Sequence, residues 1–136
     1  MDPTKLVENL LGVGKELIGL AREIRAGRIE HRREIAKLMD KISRCLAAVA
    51  SEIRLGRVPH GKCGQIDMYA HELQTLLGRA LKKKTAERLA RTLSSSHRVE
   101  GLAIALKNTR AKEKHLAKLE EASGKFRAVA NMLRAR

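Results

Sequence analysis

Leu6, Leu10, Val13, Leu17, Leu20 and Ile24 recur at steps of 4, 3, 4, 3 and 4, the repeat of one face of an α-helix. Val7, Leu11, Ile18 and Ala21 make a second stripe beside the first. The two together predict a helix with a wide apolar face rather than a narrow coiled-coil seam. Asp2-Pro3-Thr4 supplies its cap and a proline in the first turn. Gly12, Gly14 and Gly19 each weaken such a helix by about 1 kcal/mol relative to alanine. That cost calls for close packing at these positions, or for a helix that changes conformation. Ala26-Gly27-Arg28 marks the first break.

A second amphipathic run follows in Ile35, Leu38, Ile42, Cys45, Val49 and Ile53, with Met39, Leu46 and Ala50 alongside. Arg32, Arg33, Lys37, Lys41 and Arg44 occupy its polar face. Gly56-Arg57-Val58-Pro59-His60-Gly61 reads as a loop, because glycine and proline stop helices. A third helix opens near Lys62 and places Ile66, Tyr69, Leu73, Leu76, Leu77 and Ala80 on one face. Leu81, Leu89 and Leu93 keep the helical spacing through Lys82-Lys83-Lys84, and Ser94-Ser95-Ser96 reads as a turn. A fourth segment starts near Arg98 with Val99, Leu102, Ala103 and Leu106, is polar from Lys107 to His115, and resumes at Leu116, Leu119, Phe126, Val129 and Leu133. Ser123-Gly124 is the place where a short extra C-terminal helix would split off.

No alternating run suggests a strand. The pattern therefore predicts an all-α fold over residues 1–136 in one domain. Short connections make successive helices antiparallel neighbours, hence an up-down antiparallel four-helix bundle. A chain of 136 residues buries enough surface to fold without a disulfide or metal staple.

Charge changes the picture. Lys+Arg number 29 against 15 Asp+Glu, a formal net charge of +14. This exceeds what solubility asks of a small domain and points to an anionic partner. Arg79, Lys82, Lys83, Lys84 and Arg88 form the tightest cluster, with Glu87 as its one acid, and are the candidate anion- or lipid-binding residues. Lys107, Arg110, Lys112, Lys114 and Lys118 form a second. Each Lys or Arg close to an anionic membrane adds roughly 1 kcal/mol, and the same residues neutralise nucleic-acid phosphates. Single-strand binding by base stacking is disfavoured, since Tyr69 and Phe126 are the whole aromatic complement. No helix-turn-helix spacing is present.

Candidate chemistry is sparse. Gly12-Val13-Gly14-Lys15 lies inside an apolar helical stripe and not after a strand, so it is no phosphate loop. No acid/base pair stands out among the carboxylates, and an enzyme is not expected. His60-x-x-Cys63 has ligand-like spacing, and His71, Cys45 or His31 could complete a zinc set. The plainer reading makes both cysteines core fillers and the histidines solvated, so no metal and no cofactor are expected. The start of the chain shows no secretory pattern, and two cysteines then read as reduced thiols. A cytoplasmic protein is expected.

The glycine-bearing first helix (Leu6–Ile24), the basic second and third helices joined by Leu55-Gly56-Arg57-Val58-Pro59, and the closing Phe126-Ala128-Val129-Leu133 stretch resemble the N-terminal helical bundles of cell-death effectors. These are the fungal HeLo domains, the bundle of the mixed-lineage kinase domain-like pseudokinase, and their plant and bacterial counterparts. The resemblance implies a non-enzymatic defence module, soluble at rest, that oligomerises and permeabilises an anionic membrane at the inner face of the plasma membrane. It implies recruitment by basic residues and insertion of the first helix through Leu10, Leu11, Leu17 and Ile18. In such families the bundle is commonly fused to a sensor, receptor or kinase-like domain, so a separate sensor is a further implied partner. The residues themselves leave two alternatives: a basic helical protein that binds nucleic acid by charge, or an adaptor that docks an acidic protein.

Overall fold

The computed structural model describes residues 3–26, 31–77 and 96–135. All the regular structure among them is helical: α1 (Pro3–Arg25), α2 (Arg32–Arg54), α3 (His60–Leu77), α4 (Ser96–Lys107) and α5 (Lys112–Arg134). The all-α expectation holds for these residues. The question of a helix continuing or kinking through Lys82–Leu93 lies outside them.

The end of α2 shows how sequence sets a boundary. Gly56 has φ of 79°, a left-handed conformation that glycine adopts without a Cβ penalty. The Gly56 amide then donates to Ile53 O at 2.9 Å and the Arg57 amide to Glu52 O at 3.0 Å. This pair of bonds satisfies the last carbonyls of the helix in a Schellman arrangement. Pro59 follows, and α3 begins at His60, two residues ahead of the expected start.

The last two helices depart from expectation. The chain breaks at 108–111, between α4 and α5, and not at Ser123-Gly124. At the break the Thr109 hydroxyl donates to Ala105 O at 2.9 Å, a local bond that competes with helix continuation. Helix α5 runs unbroken through Ser123-Gly124 because Ser123 faces α2 and is hydrogen-bonded there. No short extra C-terminal helix forms.

Helix α5 lies against both α1 and α2. Its buried residues include Leu116, Leu119, Ala122, Phe126, Val129 and Leu133, and Phe126 is fully enclosed. The α2–α5 pair is antiparallel: Arg32 meets Leu133, Ser43 meets Ser123, and Arg54 meets Glu113. Helix α3 runs antiparallel to α2 on another flank, with Cys45 beside Gln65 and Lys41 beside Tyr69. Helix α4 packs chiefly on α3. The expectation that successive helices are neighbours holds for α2–α3 and α3–α4, but not for α1, whose principal partner is α5, nor for α4 and α5, which touch little; α2 itself packs most extensively on α5. Two flanks of α2 are taken by α5 and α3, and α1 docks on α5 and α4 instead.

Both ends of the α2–α5 pair are fastened by arginine. At one end the Arg32 guanidinium donates to the carbonyls of Leu133 and Ala135, capping a helix C-terminus with a cation. At the other, Arg54 bridges Glu120 and Glu113, the latter at 3.2 Å. Hydrogen bonds to Glu120 and then Glu113 raise the Arg54 pKa above its ordinary value.

Candidate functional site

Arg79, Lys82, Lys83, Lys84 and Arg88, the tightest basic cluster in the sequence, lie outside the described residues. So does the side chain of Leu10. Of the other residues assigned to membrane insertion, Leu17 is a core residue at 1% exposure. Leu11 and Ile18 are half-buried and pack against the same core. The stripe that α1 buries is Val7, Val13, Leu17, Ala21 and Ile24, drawn from both stripes visible in the sequence. No described helix is long and apolar enough to cross a membrane.

The three glycines of α1 separate into two kinds. A Cβ built on Gly14 would stand 2.9 Å from the Lys125 Cβ of α5, closer than real side chains approach. Close helix packing accounts for Gly14. Around Gly12 and Gly19 a Cβ would meet no described atom within 4 Å, so packing explains neither.

Two basic surfaces are present among the described residues. On α2, Arg33, Lys37, Lys41 and Arg44 are all exposed and recur at steps of 4, 4 and 3, one side of a helix. Arg44 is bonded to Asp40 at 3.0 Å. The Lys41 ammonium sits 5.3 Å from the centre of the Tyr69 ring, within cation–π range. Arg33 and Lys37 have no ion pair among the described residues. At the α4–α5 corner, Lys107, Arg110 and Lys114 are exposed, and Lys112 and Lys118 are half-buried. Glu113, the acid in their midst, is engaged by Arg54. Beside the α2 row runs a groove of about 400 Å³ against α3, lined by Leu38, Leu76, Thr75, Lys37, Lys41, Glu34 and Glu72.

Of the residues weighed as metal ligands, Cys45 and Cys63 lie near enough to act on each other electrostatically, but no set of three gathers among the described residues. Cys45 and Cys63 are buried free thiols. Burial, then the nearby Glu100 carboxylate, pushes the Cys63 thiol up to about 11, and burial raises Cys45 as well. Metal ligation needs thiolate, and these surroundings oppose it. His60 pairs instead with Glu100, Nδ1 to Oε1 at 3.0 Å. No group of three His, Cys, Asp or Glu among the described residues is placed to hold a metal. His115 departs from the expectation of solvated histidines: it is buried on α5, and its Nδ1 has no hydrogen-bond partner among the described residues.

The described surface thus offers electrostatic attraction for anions, including two cations on α2 without an ion pair among the described residues, while the apolar stripe of α1 is buried. No family model matches this chain, and no curated protein or solved structure matches it.

Proposed function

We propose that this chain is a non-enzymatic, defence-type helical module that rests as an up-down bundle in the cytoplasm and acts as an oligomer on anionic membranes. The observation that carries this reading is the docking of α1, which sets a core-type apolar stripe chiefly on α5 and to a lesser extent on α4 and makes little contact with α2 among the described residues. Val7, Val13, Leu17 and Ile24 each gain roughly 1.5–3 kcal/mol from burial. Release of α1 into water is therefore strongly opposed, and release into an apolar medium is not. The bilayer supplies that medium.

Recruitment follows from charge. The α2 row and the α4–α5 corner present cations, and the Arg79–Arg88 cluster adds to them in sequence. Charged residues on α1, among them Lys15, Glu16 and Arg22, make a lone spanning helix costly. Oligomerisation, which hides those charges from lipid, is part of the proposal. A separate sensor would supply the trigger.

Co-sedimentation tests recruitment. Full-length protein is mixed with vesicles of phosphatidylcholine alone, with vesicles containing phosphatidylserine, and, in parallel, with duplex DNA. We expect it to pellet with the anionic vesicles only, and to be released as salt rises, because screening shortens from about 10 Å at 0.1 M to about 3 Å at 1 M. Binding to duplex without vesicle binding would replace this reading with a nucleic-acid binder. Binding to neither would leave an adaptor for an acidic protein.

A further inference from the structure

Where the N-terminus of α2 meets the C-terminus of α5 there is a cleft of about 720 Å³, walled by Arg32, Arg33, Lys37 and Arg134 with Glu34 as its one acid. The volume lies within the range of small-ligand pockets, roughly 300–1,000 Å³. We propose that this cleft is a discrete binding site for a phosphate monoester dianion. The site goes beyond the membrane reading, because it would take a soluble phosphate whether or not the protein ever disrupts a bilayer.

Each part of the wall has a separate role. Arg32 is committed: its guanidinium holds the carbonyls of Leu133 and Ala135. It fixes the two helix ends to each other and so sets the shape of the cleft, while its positive charge remains. Arg33 and Lys37 are one turn apart on α2, exposed, and without an ion pair among the described residues. Arg134 is loosely held. It stands 3.7 Å from Asp40, whose closer partner is Arg44 at 3.0 Å. Arg33 and Lys37 can therefore turn toward one ligand, and Arg134 can join them by giving up its long contact with Asp40.

The backbone contributes in the same sense. His31 precedes α2 in a left-handed conformation, φ 67° and ψ 34°, and makes no side-chain cap. The first-turn amides of α2 have no partner within the helix, and the positive end of the helix dipole faces the same end of the bundle. Guanidinium groups bind phosphate through paired N–H donors, and a lysine adds a point charge. A dianion with three terminal oxygens matches this donor set better than a carboxylate, which has two oxygens and one charge. Glu34 opposes any anion in the cleft, and this gives the site a signature that bulk charge lacks.

The test uses full-length protein in a low-salt buffer free of phosphate, titrated calorimetrically with inorganic phosphate and with glycerol 3-phosphate. A parallel arm compares vesicles carrying phosphatidic acid with vesicles of equal charge carrying phosphatidylglycerol, a diester. We expect saturable binding of the soluble monoesters. The R33Q/K37Q double variant should lose at least tenfold in affinity with an unchanged helical spectrum, and E34Q should gain several-fold. K107Q/R110Q, at the far corner, should bind phosphate as the parent does. A preference for phosphatidic acid over phosphatidylglycerol identifies a lipid headgroup as the source of the ligand; equal binding with soluble monoesters bound identifies a free phosphate. Either upholds the site. Absence of saturable binding to the soluble monoesters, an R33Q/K37Q variant that binds like the parent, or equal loss in K107Q/R110Q would overturn it. Vesicle leakage is not part of this readout, so failure of the membrane mechanism leaves the result interpretable.

Discussion

The hydroxyl of Ser43 on α2 donates to the backbone carbonyl of Ser123 on α5 at 2.8 Å, and the hydroxyl of Ser123 returns a bond to the carbonyl of Ser43 at 2.6 Å. Both residues are buried, and the reciprocal pair fixes the register of the two helices at their crossing. Each acceptor carbonyl lies inside a helix and keeps its own helical bond when the hydroxyl is removed. Ser43→Ala should therefore cost only about 0.5–1.5 kcal/mol. Ser43→Val adds volume to a close crossing and should cost about 1–3 kcal/mol. Urea unfolding of the two variants checks the order, and a Ser43/Ser123 double-mutant cycle should show coupling above about 0.5 kcal/mol.

Arg32 joins α2 to the end of α5 through two carbonyls, and geometry matters there more than charge. Arg32→Ala should destabilise by about 1.5–3 kcal/mol, the range for hydrogen bonds to a charged group. Arg32→Lys should rescue little of it, because an ammonium lacks the planar fork that reaches Leu133 and Ala135 together. Full rescue by lysine in thermal unfolding would show that charge alone suffices.

The glycines of α1 give opposite expectations. Gly14→Ala places a Cβ against Lys125 and should weaken the docking of α1 on α5. Gly12→Ala and Gly19→Ala meet open space and should each stabilise the helix by roughly 0.5–1 kcal/mol. Hydrogen exchange of the α1 amides reads both effects: faster for Gly14→Ala, slower for the other two. If α1 must leave the bundle to act, the two stabilised variants should also act more slowly on vesicles.

Cys63 makes stability fall in alkali. Its thiol is raised from 9.0 to about 11 in the folded protein. Between these values the folded state holds a proton that the unfolded state has lost, so unfolding releases protons and stability declines as pH rises. We expect the midpoint of urea unfolding to drop between pH 9 and 11, and Cys63→Ser to flatten the drop. At pH 8 the buried thiol should react with an aromatic disulfide reagent only as fast as the protein opens.

Periodicity and stop signals made α1, α2 and the Gly56 boundary legible, since those depend on neighbours within a turn or two. The break at 108–111 was not legible, because Asn108 and Thr109 are weaker punctuation than glycine or proline. Ser123-Gly124 read as a break for the opposite reason: what holds the helix there is Ser43, 80 residues away. The docking of α1 on α5 is likewise a property of assembly and not of spacing. The basic face of α2 was visible, but which cations stay unpaired was not. That depends on Arg32 reaching the end of α5 and on Asp40 engaging Arg44. His115 carries no local sign of burial beyond its place four residues before Leu119.

Release of a trapped fluorescent dye from vesicles tests the proposed function most directly. Full-length protein should empty phosphatidylserine-containing vesicles, cooperatively in protein concentration, and spare phosphatidylcholine vesicles. A disulfide engineered between α1 and α5 near Gly14 and Lys125 should block release until it is reduced, while vesicle binding persists. Anionic vesicles that bind the protein and keep their contents at every concentration, with oligomers forced by crosslinking, would contradict membrane permeabilisation.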